Sequence, residues 1–160
     1  MLIDRNKIAE TCAKIRSGGR KIVFTNGCFD ILHVGHVRYL TAAKSFGDVL
    51  IVGLNSDESV RNLKGAGRPI NNEKDRAEVL LGLRAVDYVA IFGERTAEKI
   101  IAEVAPDVYV KGGDYTLETL PEAKIVQSYG GRVELVNFVA GYSTTATVEK
   151  LSAAAEINHG

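Results

Sequence analysis

Little in this sequence could staple or anchor a chain. There are only two cysteines, Cys12 and Cys28, too few for a disulfide framework and suited to a reducing compartment. No apolar run approaches the roughly 20 residues that span a bilayer. The opening stretch, Met1-Leu2-Ile3-Asp4-Arg5, lacks the apolar core of a secretion signal, so the cytoplasm is the expected location. An excess of one charge is also missing, because 20 basic and 20 acidic residues cancel. That balance gives no support to nucleic acid or a membrane surface as partner, and it leaves room for a local basic pocket. Low-complexity segments, long linkers and fixed-period repeats are absent. So are two nucleotide signatures, G-x-G-x-x-G after the first strand and G-x-x-x-x-G-K-[ST], which sets aside nicotinamide chemistry and P-loop hydrolysis.

The chain's bulk properties are ordinary and its pattern is regular. Its 160 residues suit one domain, 1–160, with a real core. Hydrophobic residues at 46% and charged residues at 25% fit a globular protein. Short apolar runs alternate with helix-period segments, the pattern of parallel strands joined by crossover helices. Asp4 can cap an opening helix within 1–19, with Ile8, Cys12 and Ile15 on one face and Gly18-Gly19 at its end. Strands are expected at 21–25, 49–54, 86–92, 108–110 and 132–136. Helices are expected at about 36–46, after a Ser56 or Asp57 cap, from Asn72, from a Thr96 cap up to Pro106, from Pro121, and after Ser143. Residues 63–72 read as a mobile basic loop. The result is an α/β fold, a Rossmann-like doubly wound sheet of five parallel strands with its catalytic core at 20–151. Ligands of such sheets bind beyond the carboxyl ends of the strands, where strand order reverses.

At the exit of the first strand stands Thr25-Asn26-Gly27-Cys28-Phe29-Asp30, followed by His33-Val34-Gly35-His36 at a helix N-terminus. Free backbone N–H groups and the helix dipole favour an anion there. Gly27 and Gly35 allow close backbone approach. His33 and His36, two of the chain's three histidines, can direct imidazole N–H groups at one cluster of oxygens. A zinc site competes weakly, since Cys28 and Asp30 lie near but nothing completes a ligand set. Cys28 reads as a space-filler beside the turn rather than a nucleophile. Further on, Ser143, Thr144 and Thr145 follow Gly141 at a helix start and suit a second phosphate cradle. Lys64, Arg68 and Arg76 form a basic loop region. Lys111-Gly112-Gly113-Asp114-Tyr115 ends a strand on the binding rim.

These motifs, in this order, resemble the cytidylyltransferase-like superfamily of nucleotidyltransferases, of HxGH type, over nearly all of 20–151. Several segments look like the branch that adenylylates D-glycero-β-D-manno-heptose 1-phosphate to make ADP-heptose for lipopolysaccharide cores. They are Gly67-Arg68-Pro69-Ile70-Asn71, Arg76-Ala77-Glu78-Val79-Leu80, Val86-Asp87-Tyr88-Val89, 110–115, Leu120-Pro121-Glu122-Ala123, Gly130-Gly131 and Gly141-Tyr142-Ser143-Thr144-Thr145. Cytidylyltransferases for glycerol phosphate or choline phosphate carry an arginine shortly before the Gly-x-Ser-Thr segment. Here Phe138 stands at about that place, which leans toward ATP.

The resemblance implies in-line attack of a sugar 1-phosphate oxygen on the α-phosphorus of the triphosphate. His33, His36 and Lys64 would then be catalytic. Thr25, Asn26, Gly27, Cys28, Phe29, Gly35, Lys111, Gly112, Ser143, Thr144 and Thr145 would bind nucleotide. Asp30, Arg68, Arg76 and Asp114 would face the acceptor. Mg²⁺ is expected, held through the phosphates rather than by a side-chain cluster. A homo-oligomer, a dimer, is expected from apolar faces left over by the core. Such transferases often occur fused behind a sugar kinase; this sequence matches only the transferase half, so a kinase on a separate chain is expected to supply the acceptor. Glycerol 3-phosphate with cytidine triphosphate or another small-phosphate nucleotidyl transfer, and a non-catalytic nucleotide-binding sensor, stay open as alternatives.

Overall fold

The structure, a computed structural model, describes residues 1–113, 115–136 and 148. Within them lie strands β1 (Leu2–Ile3), β2 (Ile22–Gly27), β3 (Val49–Asn55), β4 (Tyr88–Phe92), β5 (Val108–Gly112) and β6 (Arg132–Val136). Helices are α1 (Ile8–Ser17), α2 (Val34–Lys44), α3 (Asp57–Lys64), α4 (Glu73–Leu81), α5 (Glu98–Val104) and α6 (Ala123–Ser128). All the strands pair in parallel, in the order β1-β4-β3-β2-β5-β6. The expected five-stranded sheet gains one strand, the two-residue β1, which pairs with β4 through Leu2 and Ile3.

The central strands β2, as far as Thr25, and β3 are buried on both faces because both are covered. Ile22 and Phe24 pack into a core with Ile8, Cys12 and Ile15 of α1, Ile100 and Val104 of α5 and Val126 of α6. Val23, Leu50 and Val52 point the other way, toward Tyr39, Leu40 and Ala43 of α2 and Ala77 and Leu80 of α4. β3 is buried along its whole length, and Gly53 within it is demanded by packing. A Cβ there would stand 2.6 Å from the Phe24 ring.

Helix starts follow local chemistry. The Ser56 hydroxyl accepts the Ser59 N–H at 3.2 Å to cap α3, and Asn72 accepts from Lys74 and Asp75 to cap α4. Asp4 caps a 3-10 turn, Arg5–Lys7, that feeds α1. Two expected starts differ. Thr96 gives its hydroxyl to the Glu98 carboxylate at 3.0 Å and does not cap α5. Pro121 lies in the turn ahead of α6, which begins at Ala123. Leu63 and Lys64, expected in the loop, are the last turn of α3, which stops at Gly65 with φ 96.

The strand order reverses between β2 and β5. These two pair only at Val23 with Val108 and Phe24 with Tyr109. Beyond that point the register ends, and a crevice opens between Gly27 on one bank and Lys111-Gly112 on the other.

Candidate active site

A cavity of about 160 Å³ fills that crevice, lined by Asn26, Gly27, Cys28, Phe29, Asp30, His36, Tyr39, Lys64, Lys111 and Gly112. Its floor is tied together by polar groups. Tyr39 donates its hydroxyl to the Val110 carbonyl at 3.1 Å and meets the Thr25 hydroxyl at 2.7 Å, bridging β5 and β2 from α2. Tyr109 donates to Asn26 Oδ1 at 2.7 Å across the same gap. Thr25 is fully buried beneath the cavity. At its edge Phe29 adopts φ 43, left-handed backbone that a bulky residue rarely takes, and strain of this kind concentrates at functional turns.

The two histidines are brought together. His33 is the N-cap of α2 and His36 lies in its first turn, with Gly35 buried between them. Their rings stack at 3.9 Å between centroids, and Phe29 meets His36 edge-on at 5.5 Å. The His33 backbone N–H donates to His36 Nδ1 at 3.3 Å. With Nδ1 accepting, the neutral His36 ring carries its proton on Nε2, where it is a hydrogen-bond donor. Burial, then His33, then the Lys64 ammonium push His36 down to about 4. Burial also lowers His33. Near neutral pH both rings are therefore uncharged. Burial raises the Cys28 thiol against the pull of Lys64, Arg76 and Arg68, which keeps it protonated and poorly nucleophilic.

Lys64, at the end of α3, and Lys111, near the end of β5, line the cavity with His36. Lys111 Nζ lies 3.5 Å from Asn26 Oδ1 and 3.7 Å from Glu122 Oε1.

Other expected site residues are committed elsewhere. The Asp30 side chain has no exposed surface. It accepts the Arg68 Nε at 2.6 Å and the Ile70 and Asn71 backbone N–H groups at 2.9 and 3.0 Å. Burial drives its carboxyl upward, but the N–H groups of Asn71 and Ile70 and the Arg68 guanidinium outweigh it, holding it below the ordinary range. Arg68 keeps one buried nitrogen, Nη2, without a partner among the described residues. Arg76, expected at the acceptor, is 2% exposed. It donates to the Cys28 carbonyl at 2.6 Å, the Asn71 carbonyl at 2.9 Å and Asp57 Oδ1 at 2.8 Å, joining the turn after β2, the loop before α4 and the start of α3. Asp114, Ser143, Thr144 and Thr145, with Phe138, lie outside the described residues. Sequence reasoning missed Tyr39, although it sits three residues after His36, on one helical face with the buried Ala43.

The fold, with this turn at the switch point of the sheet, is that of a nucleotidyltransferase. The chain belongs to the cytidylyltransferase-like family, whose model matches residues 24–153. It is 57% identical over 136 residues to the bifunctional protein HldE of Geotalea uraniireducens, covering 85% of this chain and 28% of that protein. To the bifunctional protein HldE of Wolinella succinogenes it is 54% identical over 150 residues, covering 94% of this chain and 31% of that one. The chain thus spans under a third of the length of these curated relatives. Their name places two functions on one chain, so the expectation of a kinase on a separate chain finds no support in them. Among solved structures, the lipopolysaccharide core biosynthesis protein from Thermoplasma volcanium matches with a TM-score of 0.61 and 33% identity, over 76% of this chain and 98% of that one. No helix among the described residues is long and apolar enough to cross a membrane.

Proposed function

We propose that this chain transfers AMP from ATP to a sugar 1-phosphate, D-glycero-β-D-manno-heptose 1-phosphate, giving ADP-heptose and pyrophosphate, with 20–151 as its catalytic core. The observation that carries the reading is the switch-point cavity, where His36, uncharged and stacked on His33, shares the lining with Lys64 and Lys111. The names of the HldE relatives and of the lipopolysaccharide core protein, together with the heptose-type segments of the sequence, support the choice of acceptor.

The acceptor phosphate oxygen is already an anion. It attacks the α-phosphorus in line, the new P–O bond forms as the bond to the β-phosphate bridging oxygen breaks, and the electron pair leaves with pyrophosphate. No strong general base is needed, so the protein's task is alignment and stabilisation of negative charge. His36 donates from Nε2, with His33 beside it. Lys64 and Lys111 supply positive charge from the two banks, and Asn26, Gly27, Cys28 and Phe29 line the approach. Ser143, Thr144 and Thr145 complete the phosphate cradle. Asp30 stays ionised and holds Arg68 and the 68–71 loop against the β2 turn. Among the described residues no group of three or more His, Cys, Asp or Glu could hold a metal. A Mg²⁺ would enter with the triphosphate and neutralise part of its charge beside Lys64 and Lys111. A homodimer belongs to the same proposal and is read by sedimentation velocity.

The test is pyrophosphate release across a matrix of ATP and CTP against heptose 1-phosphate and glycerol 3-phosphate. Release with ATP and the heptose phosphate, well above every other pair, is expected. Preference for CTP with glycerol 3-phosphate would replace this reading. ATP binding without release from any pair would make the chain a sensor.

A further inference from the structure

Glu122 takes no part in the cavity wall and has no role in the transfer just described, yet it is only 8% exposed. A buried carboxylate is costly unless paired. Its partner is Lys111, 3.7 Å away, with side-chain exposures of 17% and 11% for the lysine and the glutamate. That separation is too long for a hydrogen bond, so the pair is a Coulombic tether that leaves ammonium protons free to donate. The remaining surroundings of Nζ are equally fixed. Tyr109 donates to Asn26 Oδ1 at 2.7 Å, which turns the amide oxygen toward the lysine at 3.5 Å. The rings of Tyr115 and Tyr109 lie 5.7 and 6.0 Å from the nitrogen. Carboxylate, amide and two aromatic faces thus hold one cation at the end of β5, across the crevice from His36 and Lys64.

We propose that Glu122 is a positioning residue for the transfer: from the N-cap of α6 it fixes the Lys111 ammonium where it receives an oxygen of the triphosphate. The proposal rests on the nucleotidyl-transfer reading for its purpose, though not for its test. Lys111 lines the cavity and Glu122 does not, so the carboxylate can orient the lysine without occupying the anion's place. The alternative, that Glu122 is only background charge, predicts the opposite sign: removing a negative charge near the cavity would tighten anion binding.

A double-mutant cycle of Lys111→Met and Glu122→Gln decides between them, with inorganic tripolyphosphate as the probe and calorimetric Kd as the readout, so that turnover is not required. Lys111→Met weakens binding about tenfold or more, the scale of one lost charge-assisted hydrogen bond. Glu122→Gln weakens it roughly threefold to tenfold, and in the Lys111→Met background it changes nothing beyond about twofold. Glu122→Asp, which keeps the charge, recovers part of the loss. This comparison also separates positioning from a general loss of folding. Tighter binding in Glu122→Gln, an undiminished Glu122→Gln effect in the Lys111→Met background, equal loss in the Gln and Asp variants, or no tripolyphosphate binding by the unmodified protein would each overturn the proposal. If the cycle behaves as expected while no substrate pair yields pyrophosphate, the transfer reading fails, and what stands is that Glu122 holds Lys111 in place for a polyphosphate.

Discussion

Acid should unfold this protein through His36 before its carboxylates respond. In the folded chain His36 is pushed down to about 4 by burial, by His33 and by Lys64, whereas in the unfolded chain it returns to 6.5. Between those values the unfolded state binds the proton and the folded state does not, so stability rises with pH through this window and is lost as pH falls. From about pH 7 to about pH 5 the linkage amounts to about 2 kcal/mol, trimmed to about 1–2 kcal/mol because solvent reaches part of the ring. His33, also lowered, adds in the same direction. Asp30 and Glu94, held below their ordinary 3.8 and 4.5, lose their contribution only at lower pH. Urea denaturation at about pH 7, 6 and 5 measures the slope, and His36→Asn, which keeps an acceptor for the His33 N–H, removes the titrating ring. The variant's stability should fall less over this range by about 1–2 kcal/mol, roughly fivefold to thirtyfold in the unfolding constant. Parallel slopes for the two proteins would refute the assignment of a buried, uncharged His36.

His36→Ala should lower kcat about a hundredfold or more while leaving the circular dichroism spectrum unchanged. Lys64→Ala should also slow the chemical step, and normal turnover in either variant would remove that residue from the catalytic set. Arg76→Lys replaces a three-way fork with a single ammonium that cannot reach Cys28, Asn71 and Asp57 together; a loss of about 3 kcal/mol in urea is expected, and a change within about 0.5 kcal/mol would argue that Arg76 faces substrate instead. Asp30→Asn gives up the charge that holds Arg68 and the Ile70 and Asn71 amides, so trypsin should cut faster after Lys64 at a cost of about 2 kcal/mol, whereas an unchanged digestion rate would count against the tether.

The sheet was largely legible because parallel strands buried on both faces are written as continuous apolar runs, as in β3. β1 was not, since two residues carry no pattern and are defined only by the neighbour they pair with. The start of α5 went astray because Thr96 has the right side chain for a cap but bonds to a carboxylate two residues on. In the candidate site, the histidine turn and Lys64 could be read from order along the chain. The burial of Arg76 left a trace that went unused: it lies four residues before the buried Leu80, on the inward face of α4. The Lys111–Glu122 pair left none. It joins a strand end to a helix cap through tertiary packing alone, and no spacing rule connects residues held that way.

Two positive imidazoles 3.9 Å apart would repel by about 4 kcal/mol at an effective dielectric constant near 20, and Lys64 would add to this. The arrangement is therefore tolerable only because the rings are neutral, and the depressed protonation of His36 follows from burial and from His33 beside it. This divides the labour of phosphate handling in the proposed transfer. Lys64 and Lys111 bring net charge, which acts at a distance and weakens with salt. His36, with Nδ1 tied to the backbone, brings a directed donor whose value depends on where the oxygen sits. A charged group stabilises the phosphates in the ground state and also the charge that builds on the leaving pyrophosphate in the transition state. A fixed neutral donor discriminates between them, because its hydrogen bond shortens only when negative charge reaches the oxygen it faces. The stacked pair thus adds a directed donor at the reacting phosphate, and the lysines add the charge that steadies the triphosphate and the departing pyrophosphate.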